Sequence, residues 1–168
     1  MGGAQVKPLP EGVRRVAAAL QGHGAGHEPV MLDAAARTAQ QAADALGVAL
    51  GQIAKSIVFR RLPDDAAVLV ITSGDRRVDE AKVAARVCGP GQTLARADAA
   101  FVKAATGFSI GGVAPLAHAR PPVMLIDAEL FRFDVIWAAA GHPHAVFRLT
   151  PAELRAWTGA PVADVTAR

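Results

Sequence analysis

Two apolar runs on either side of a short turn constrain this chain more than any other feature. Ile53-Ala54-Lys55-Ser56-Ile57-Val58-Phe59 and Val68-Leu69-Val70-Ile71-Thr72 flank Pro63-Asp64-Asp65. Such runs, rich in β-branched residues and bounded by turn formers, predict a hairpin of two buried strands. Helical patterns surround it. Glu11 to Gln21 puts Val13, Val16, Ala17 and Leu20 on one face, and the stretch from Gly22 to Pro29 breaks that helix. Asp33 predicts the N-cap of a second helix through Ala36, Ala39, Ala43 and Leu46, stopping at Gly47. Asp79 caps a third, and Asp98 to Ala105 is a short fourth. Strands follow over Val123–Ile126, Val135–Ala138 and Ala145–Leu149. Thr150-Pro151-Ala152-Glu153 is then a capping box with proline at the first helical position, and Val162–Val165 a last strand. Strands arranged in hairpins among helices read as one α+β domain over residues 11–168, preceded by a loose leader at 1–10.

Composition bounds the compartment and the partners. A chain of 168 residues fits one domain. Much of its 52% apolar content is alanine, and no run approaches the roughly 20 residues that a membrane helix needs. No secretory apolar segment opens the sequence, and Cys88 is the single cysteine. The expectation is therefore a cytoplasmic protein without an internal disulfide, acting at no membrane. A net charge of +3 with a pI near 9.6 permits an anionic partner such as RNA.

Thr106-Gly107-Phe108-Ser109-Ile110-Gly111-Gly112-Val113-Ala114-Pro115 is the segment closest to chemistry. Its glycines let the backbone approach a ligand and aim N–H groups at a carbonyl oxygen or an oxyanion, or else they make an ordinary tight turn. Gly107 to Gly111 also matches the G-x-S-x-G elbow of serine hydrolases, with Asp127 and His142 or His144 downstream. That elbow needs a strand before it and a helix after it, and neither is expected here. Lys55 inside an apolar run must bring its ammonium to water or to a partner, either at the mouth of a cleft or by snorkelling from a strand. Arg76 and Arg77, with Arg60, are candidates for phosphate contacts, or they belong to a solvated face. His142 and His144 lack the clustered ligands that zinc requires, so no metal is expected.

Taken together, these segments resemble the YbaK-like family, which includes the editing domain inserted in bacterial prolyl-tRNA synthetases. The landmarks are Gly51 to Phe59, Ser73-Gly74-Asp75-Arg76-Arg77-Val78-Asp79, Thr106 to Pro115, Val123 to Asp127, and the strand pair around Gly141-His142. The resemblance implies a mixed, partly barrel-like sheet flanked by helices. It implies hydrolysis, in trans, of the ester joining cysteine, serine, threonine or alanine to a mischarged tRNA. It gives Lys55, Gly111 and Gly112 catalytic roles, and Ser109, Val113, Ala114, Pro115, Asp127 and His142 contact with substrate. No cofactor is implied and no DNA; the partners are the tRNA and prolyl-tRNA synthetase or another synthetase. Alanine stands at 114, where the cysteine-editing branch often has serine, and at 117, where the loop usually has glycine. The alternatives are a tRNA- or synthetase-binding module without catalysis, and a small serine hydrolase using Ser109.

Overall fold

A computed structural model describes residues 8–33 and 36–167. The hairpin forms as expected: β2 (Ile53–Leu62) and β3 (Ala66–Ser73) pair antiparallel along their length, with Lys55 opposite Thr72 and Arg61 opposite Ala66. Around it an eight-stranded mixed sheet assembles in the order β1-β7-β6-β2-β3-β5-β8, with β4 on β2. The remaining strands are β1 (Val30–Met31), β4 (Thr93–Arg96), β5 (Val123–Asp127), β6 (Ile136–Ala139), β7 (Ala145–Leu149) and β8 (Val162–Ala163). Pairings β2–β6, β3–β5 and β5–β8 are parallel, and the others are antiparallel. A strand in the middle of such a sheet is covered on both faces, which is why β3 is a continuous apolar run. Its alternate side chains enter different cores. Leu69 and Ile71 pack with Val13, Val16 and Leu20 of α1 (Glu11–Gly22), whereas Val68 and Val70 pack with Val83 and Val87 of α3 (Glu80–Val87).

The helix caps follow local chemistry. Asp79, Asp98 and Thr150 each accept backbone N–H bonds at the starts of α3, α4 (Ala99–Thr106) and α5 (Pro151–Thr158). One cap differs from the sequence expectation. Helix α2 runs over Ala39–Leu46 and is capped by Thr38, whose hydroxyl accepts from Gln41 N while the Gln41 side chain accepts from Thr38 N. This reciprocal box outcompetes Asp33, which lies five residues upstream, and Gly47 ends the helix at φ 69° as expected. Most of the leader at 1–10 lies outside the described residues; Pro10 directly precedes α1, its carbonyl accepting from Arg14 N. No helix among the described residues is long and apolar enough to cross a membrane.

The sheet branches at β2, and this positions the site. One edge of β2 is fully paired with β3. On the other edge Ile53 and Ala54 pair with β6, and pairing resumes only at Phe59, with β4. Between Ala54 and Phe59 the strand borders an opening.

Candidate functional site

Two cavities meet at that opening. The first, about 220 Å³, is lined by Ala54, Lys55 and Ser56 of β2, Trp137 and Ala138 of β6, Thr38 and Ala42 at α2, and Gly111 and Val113 of the glycine loop. The second, about 400 Å³, is lined by Ile57, Phe59, Arg76, Arg77, Glu80 and Arg96. Lys55 lines both. Strand alternation gives it the parity of Ile57 and Phe59, while Ser56 shares that of Ala54 and Val58.

Lys55 Nζ donates to the carbonyl of Arg76 at 3.2 Å. Burial pulls its pKa below the ordinary lysine value, and the nearby Asp75 and Asp127 carboxylates pull it partly back. The loop that offers this carbonyl is held firmly. A Cβ on Gly74 would collide with the Leu50 carbonyl, so only glycine lets the turn sit against the start of β2. Arg132 forks onto Asp75 at 2.7 and 3.1 Å and holds that carboxyl below the ordinary aspartate range; Arg132 also donates to Ser73 Oγ at 2.8 Å. Arg76 Nη2 lies 3.5 Å from Glu129, and Arg76 Nε makes no hydrogen bond. Arg77 is exposed, and its guanidinium has no ion pair among the described residues.

The glycine loop is pinned from behind. Arg15 of α1 donates to the carbonyls of Ala117 (2.7 and 3.1 Å) and Thr106 (3.1 Å) and lies 4.2 Å from the Phe108 ring centroid. His118 Nε2 is 2.6 Å from the Ala114 carbonyl; burial lowers the His118 pKa, and the neutral ring donates that bond. Ala117 adopts φ 64°, a left-handed conformation that glycine enters at lower cost, so the alanine noted there is held in place by Arg15. Gly111 also turns left-handed, at φ 88°, and Gly112 N donates to Ser109 O at 2.9 Å. That turn engages the Gly112 amide. Among the described residues, the N–H groups of Gly111 and Val113 carry no hydrogen bond. Gly112 is fixed by space: a Cβ would lie 2.8–2.9 Å from the backbone N, Cα and C of His142. Gly112→Ala must displace backbone, so its expected cost is about 1–3 kcal/mol in urea unfolding.

The expected site residues therefore separate. Lys55, Gly111 and Val113 share the first cavity, whereas Ala114 is in the core and Pro115 is buried behind it. Ser109 and His142 line another cavity, of about 260 Å³, with Arg15 and Lys103. Asp127 is fully buried and accepts from Thr72 Oγ1 (3.0 Å), Ser73 N (3.0 Å) and Glu129 N (2.9 Å). Arg60 pairs with Asp65 at 2.8 Å and borders a different hollow with Phe101 and Arg120. Ser109 follows α4 rather than a strand, and no hydrogen bond joins it to a histidine, so the parts of a serine-hydrolase triad are not assembled. His142 Nδ1 accepts from His144 N, and no group of three potential metal ligands occurs among the described residues.

Arg15, His118, Arg132 and Trp137 were not singled out in the sequence. The contacts of Arg15, Arg132 and Trp137 with the site span large sequence separations, and the bond from His118 to Ala114, four residues away, follows no recognisable local pattern.

Comparison with known proteins gives the lineage. Residues 33–157 match the family model described as the aminoacyl-tRNA editing domain. The uncharacterized protein YwhH of Bacillus subtilis (strain 168) is 35% identical over 123 residues, covering 70% of this chain and 72% of that protein. A solved structure described as "a putative trans-editing enzyme for prolyl tRNA synthetase" superposes with a TM-score of 0.88 at 42% identity, covering 96% of this chain and 100% of the other. The hypothetical protein APE2540 superposes with a TM-score of 0.81 at 27% identity, over 91% and 99% of the two chains.

Proposed function

From a chain that belongs to the aminoacyl-tRNA editing domain family, we propose a free-standing deacylase that removes a small amino acid (cysteine, serine, threonine or alanine) from a mischarged tRNA. The observation that carries this reading is the shared cavity. One hollow of about 220 Å³, lined mostly by alanine and other apolar side chains, is bordered both by Lys55 and by the loop residues Gly111 and Val113. That volume suits a small aminoacyl group. The adjoining cavity, with Arg76, Arg77 and Arg96 on its wall, suits the anionic backbone of the terminal nucleotide. Lys55 stands where ester and ribose would meet.

The chemistry asks little of the protein. The oxygen of a water molecule attacks the ester carbonyl, and the unengaged N–H groups of Gly111 and Val113 receive the developing oxyanion. The C–O bond to the ribose breaks, the ribose oxygen takes a proton from the water, and the free amino acid and uncharged tRNA depart. A hydroxyl or thiol of the substrate can replace water as attacking group, which is consistent with a site lacking an assembled triad. Lys55 contributes a fixed cation that orients the ribose–phosphate end and favours negative charge on the carbonyl oxygen.

The test is release of amino acid from a panel of mischarged tRNAs. Mischarged proline-accepting tRNAs are the first substrates to assay, because the 42% identical relative is described as a trans-editing enzyme for prolyl tRNA synthetase. Small residues should be released and bulky ones retained. Salt-dependent tRNA binding without release from any substrate would leave a binding module in place of an enzyme. The second cavity makes a separate prediction. Arg77→Ala should weaken tRNA binding several-fold, independently of the amino acid carried, and reduce the slope of log affinity against log salt by about 1. Titration at several salt concentrations reads both effects; an unchanged slope would remove Arg77 from the contact surface.

A further inference from the structure

Lys55 sits near a carboxylate that is paired elsewhere. Its Nζ donates to the Arg76 carbonyl at 3.2 Å, and Asp75 is the residue before that carbonyl. Asp75 is close enough to favour the charged form of Lys55, ahead of Asp127. Opposite charges attract more strongly the nearer they come, so the separation of these two needs a cause. Arg132 supplies it. Its Nη2 donates to Asp75 Oδ1 at 2.7 Å and its Nη1 to Oδ2 at 3.1 Å, which engages both carboxylate oxygens. Ser73 Oγ lies 3.0 Å from Oδ1 as well. The guanidinium is itself fixed, with Nη2 donating to Ser73 Oγ at 2.8 Å and Nε to the Glu129 carbonyl at 2.7 Å. A planar fork matches a carboxylate with two bonds, whereas an ammonium is a point charge. Arg76 reaches Asp75 only at 3.8 Å, too far for a hydrogen bond.

We infer that Arg132 is a positioning residue for deacylation: by engaging both oxygens of Asp75 it keeps that carboxylate from closing onto Lys55 and leaves the ammonium free to meet substrate. This rests on the deacylase reading and adds to it a residue outside the cavities. Arg132 ends the short 3-10 helix Ala128–Arg132, and neither it nor Asp75 borders the two cavities that Lys55 joins. Its effect on the reaction therefore passes through Lys55. An ammonium carries three donors, and the Arg76 carbonyl takes one of them. The other charged groups around Lys55 are Arg37 on the first cavity, Arg76, Arg77, Glu80 and Arg96 on the second, and the buried Asp127. Asp127 is already held by Thr72, Ser73 and Glu129. Asp75 is thus the carboxylate that a missing arginine would release.

The test is a double-mutant cycle on the full chain with two readouts. One is kcat/KM for release from mischarged tRNA, and the other is the NMR titration of the Lys55 side chain, one of four lysines in the sequence. Arg132→Met should lower kcat/KM about fivefold, the scale on which neighbouring charges couple. It should also raise the Lys55 pKa, because a cation is removed and Asp75 is released to the ammonium. Asp75→Asn should lower that pKa and leave kcat/KM at neutral pH close to wild type. The decisive variant is the double one. With no carboxylate left to capture Lys55, Arg132→Met with Asp75→Asn should recover to the level of Asp75→Asn alone. Arg132→Lys keeps a cation without the fork and should fall between wild type and Arg132→Met; it carries the test if the methionine variant does not fold. Equal losses in Arg132→Met, Asp75→Asn and the double variant would mark a simple brace of the turn and overturn the inference alone. So would wild-type kcat/KM, or a Lys55 pKa unmoved or lowered, in Arg132→Met. Should the wild-type protein release no amino acid, the deacylase reading and this role for Arg132 fall together.

Discussion

Lys55→Met is expected to lower deacylation at least about a hundredfold, the scale on which removing one preorganised electrostatic group acts, while leaving the fold as stable as before or more so. Both halves follow from the same geometry. The ammonium lies at the join of the two cavities, half-buried, with a single protein hydrogen bond to the Arg76 carbonyl. Burial is the leading influence on its proton affinity and disfavours the charged form, against the partial support of Asp75 and Asp127. The folded pKa therefore lies below the ordinary 10.5. In the window between the folded value and 10.5, the unfolded chain binds more protons, so stability rises with pH there; below that window the charged side chain is a net burden on the fold. Methionine keeps the length and removes the charge. Activity runs the other way. The ammonium is present below its pKa, so the enzymatic rate should fall as pH rises through that lowered value, once spontaneous ester hydrolysis is subtracted. Single-turnover release of amino acid from pH 6 upward, alongside thermal unfolding of both proteins, checks the pair of expectations. Wild-type rates in Lys55→Met would end the role assigned to this residue.

Such an opposition between stability and activity is what a site imposes on a fold, and it explains which features could be read from the chain. The hairpin β2–β3 and the caps at Asp79, Asp98 and Thr150 are written locally, in β-branched runs and in side chains that reach the next turn. Helix α2 starts later than the helical look of the alanines upstream of Thr38 suggests, because the competition between Asp33 and the Thr38–Gln41 box is decided by a reciprocal pair of bonds. Strands β1 and β4 are only two and four residues long, and each exists because β7 and β2 present an edge to it. The same division runs through the site. Lys55, Gly111 and Val113 line one cavity although they lie far apart in the sequence. Ser109 and His142 line a different cavity, with Arg15 and Lys103. Arg15, which holds the loop in position, is legible only in three dimensions, its contacts spanning 91 to 102 residues.

Asp127→Ala should prove the most damaging single truncation for stability, at about 3–5 kcal/mol, the range for breaking a buried charged cluster. The carboxylate is fully buried and accepts three bonds, from Thr72 Oγ1, Ser73 N and Glu129 N. It ties the ends of β3 and β5 to the short 3-10 helix Ala128–Arg132. Alanine leaves two buried donors and one half-buried donor without an acceptor, each buried one costing about 1–3 kcal/mol. Asparagine keeps one acceptor oxygen but turns an NH₂ group toward donors, so Asp127→Asn should fall between wild type and alanine. The damage should spread to the site through the turn that Asp127 anchors at Ser73: the Arg76 carbonyl that receives Lys55 Nζ lies three residues on. Urea unfolding with an unchanged m-value measures the loss directly. The experiment also separates the two roles open to this residue. A carboxylate that touches substrate would give a stable protein with little activity on truncation; one that braces the turn would lose stability first, with activity recovering as far as a stabilising condition, such as added osmolyte, restores the fold. Three short bonds to fold atoms favour the brace.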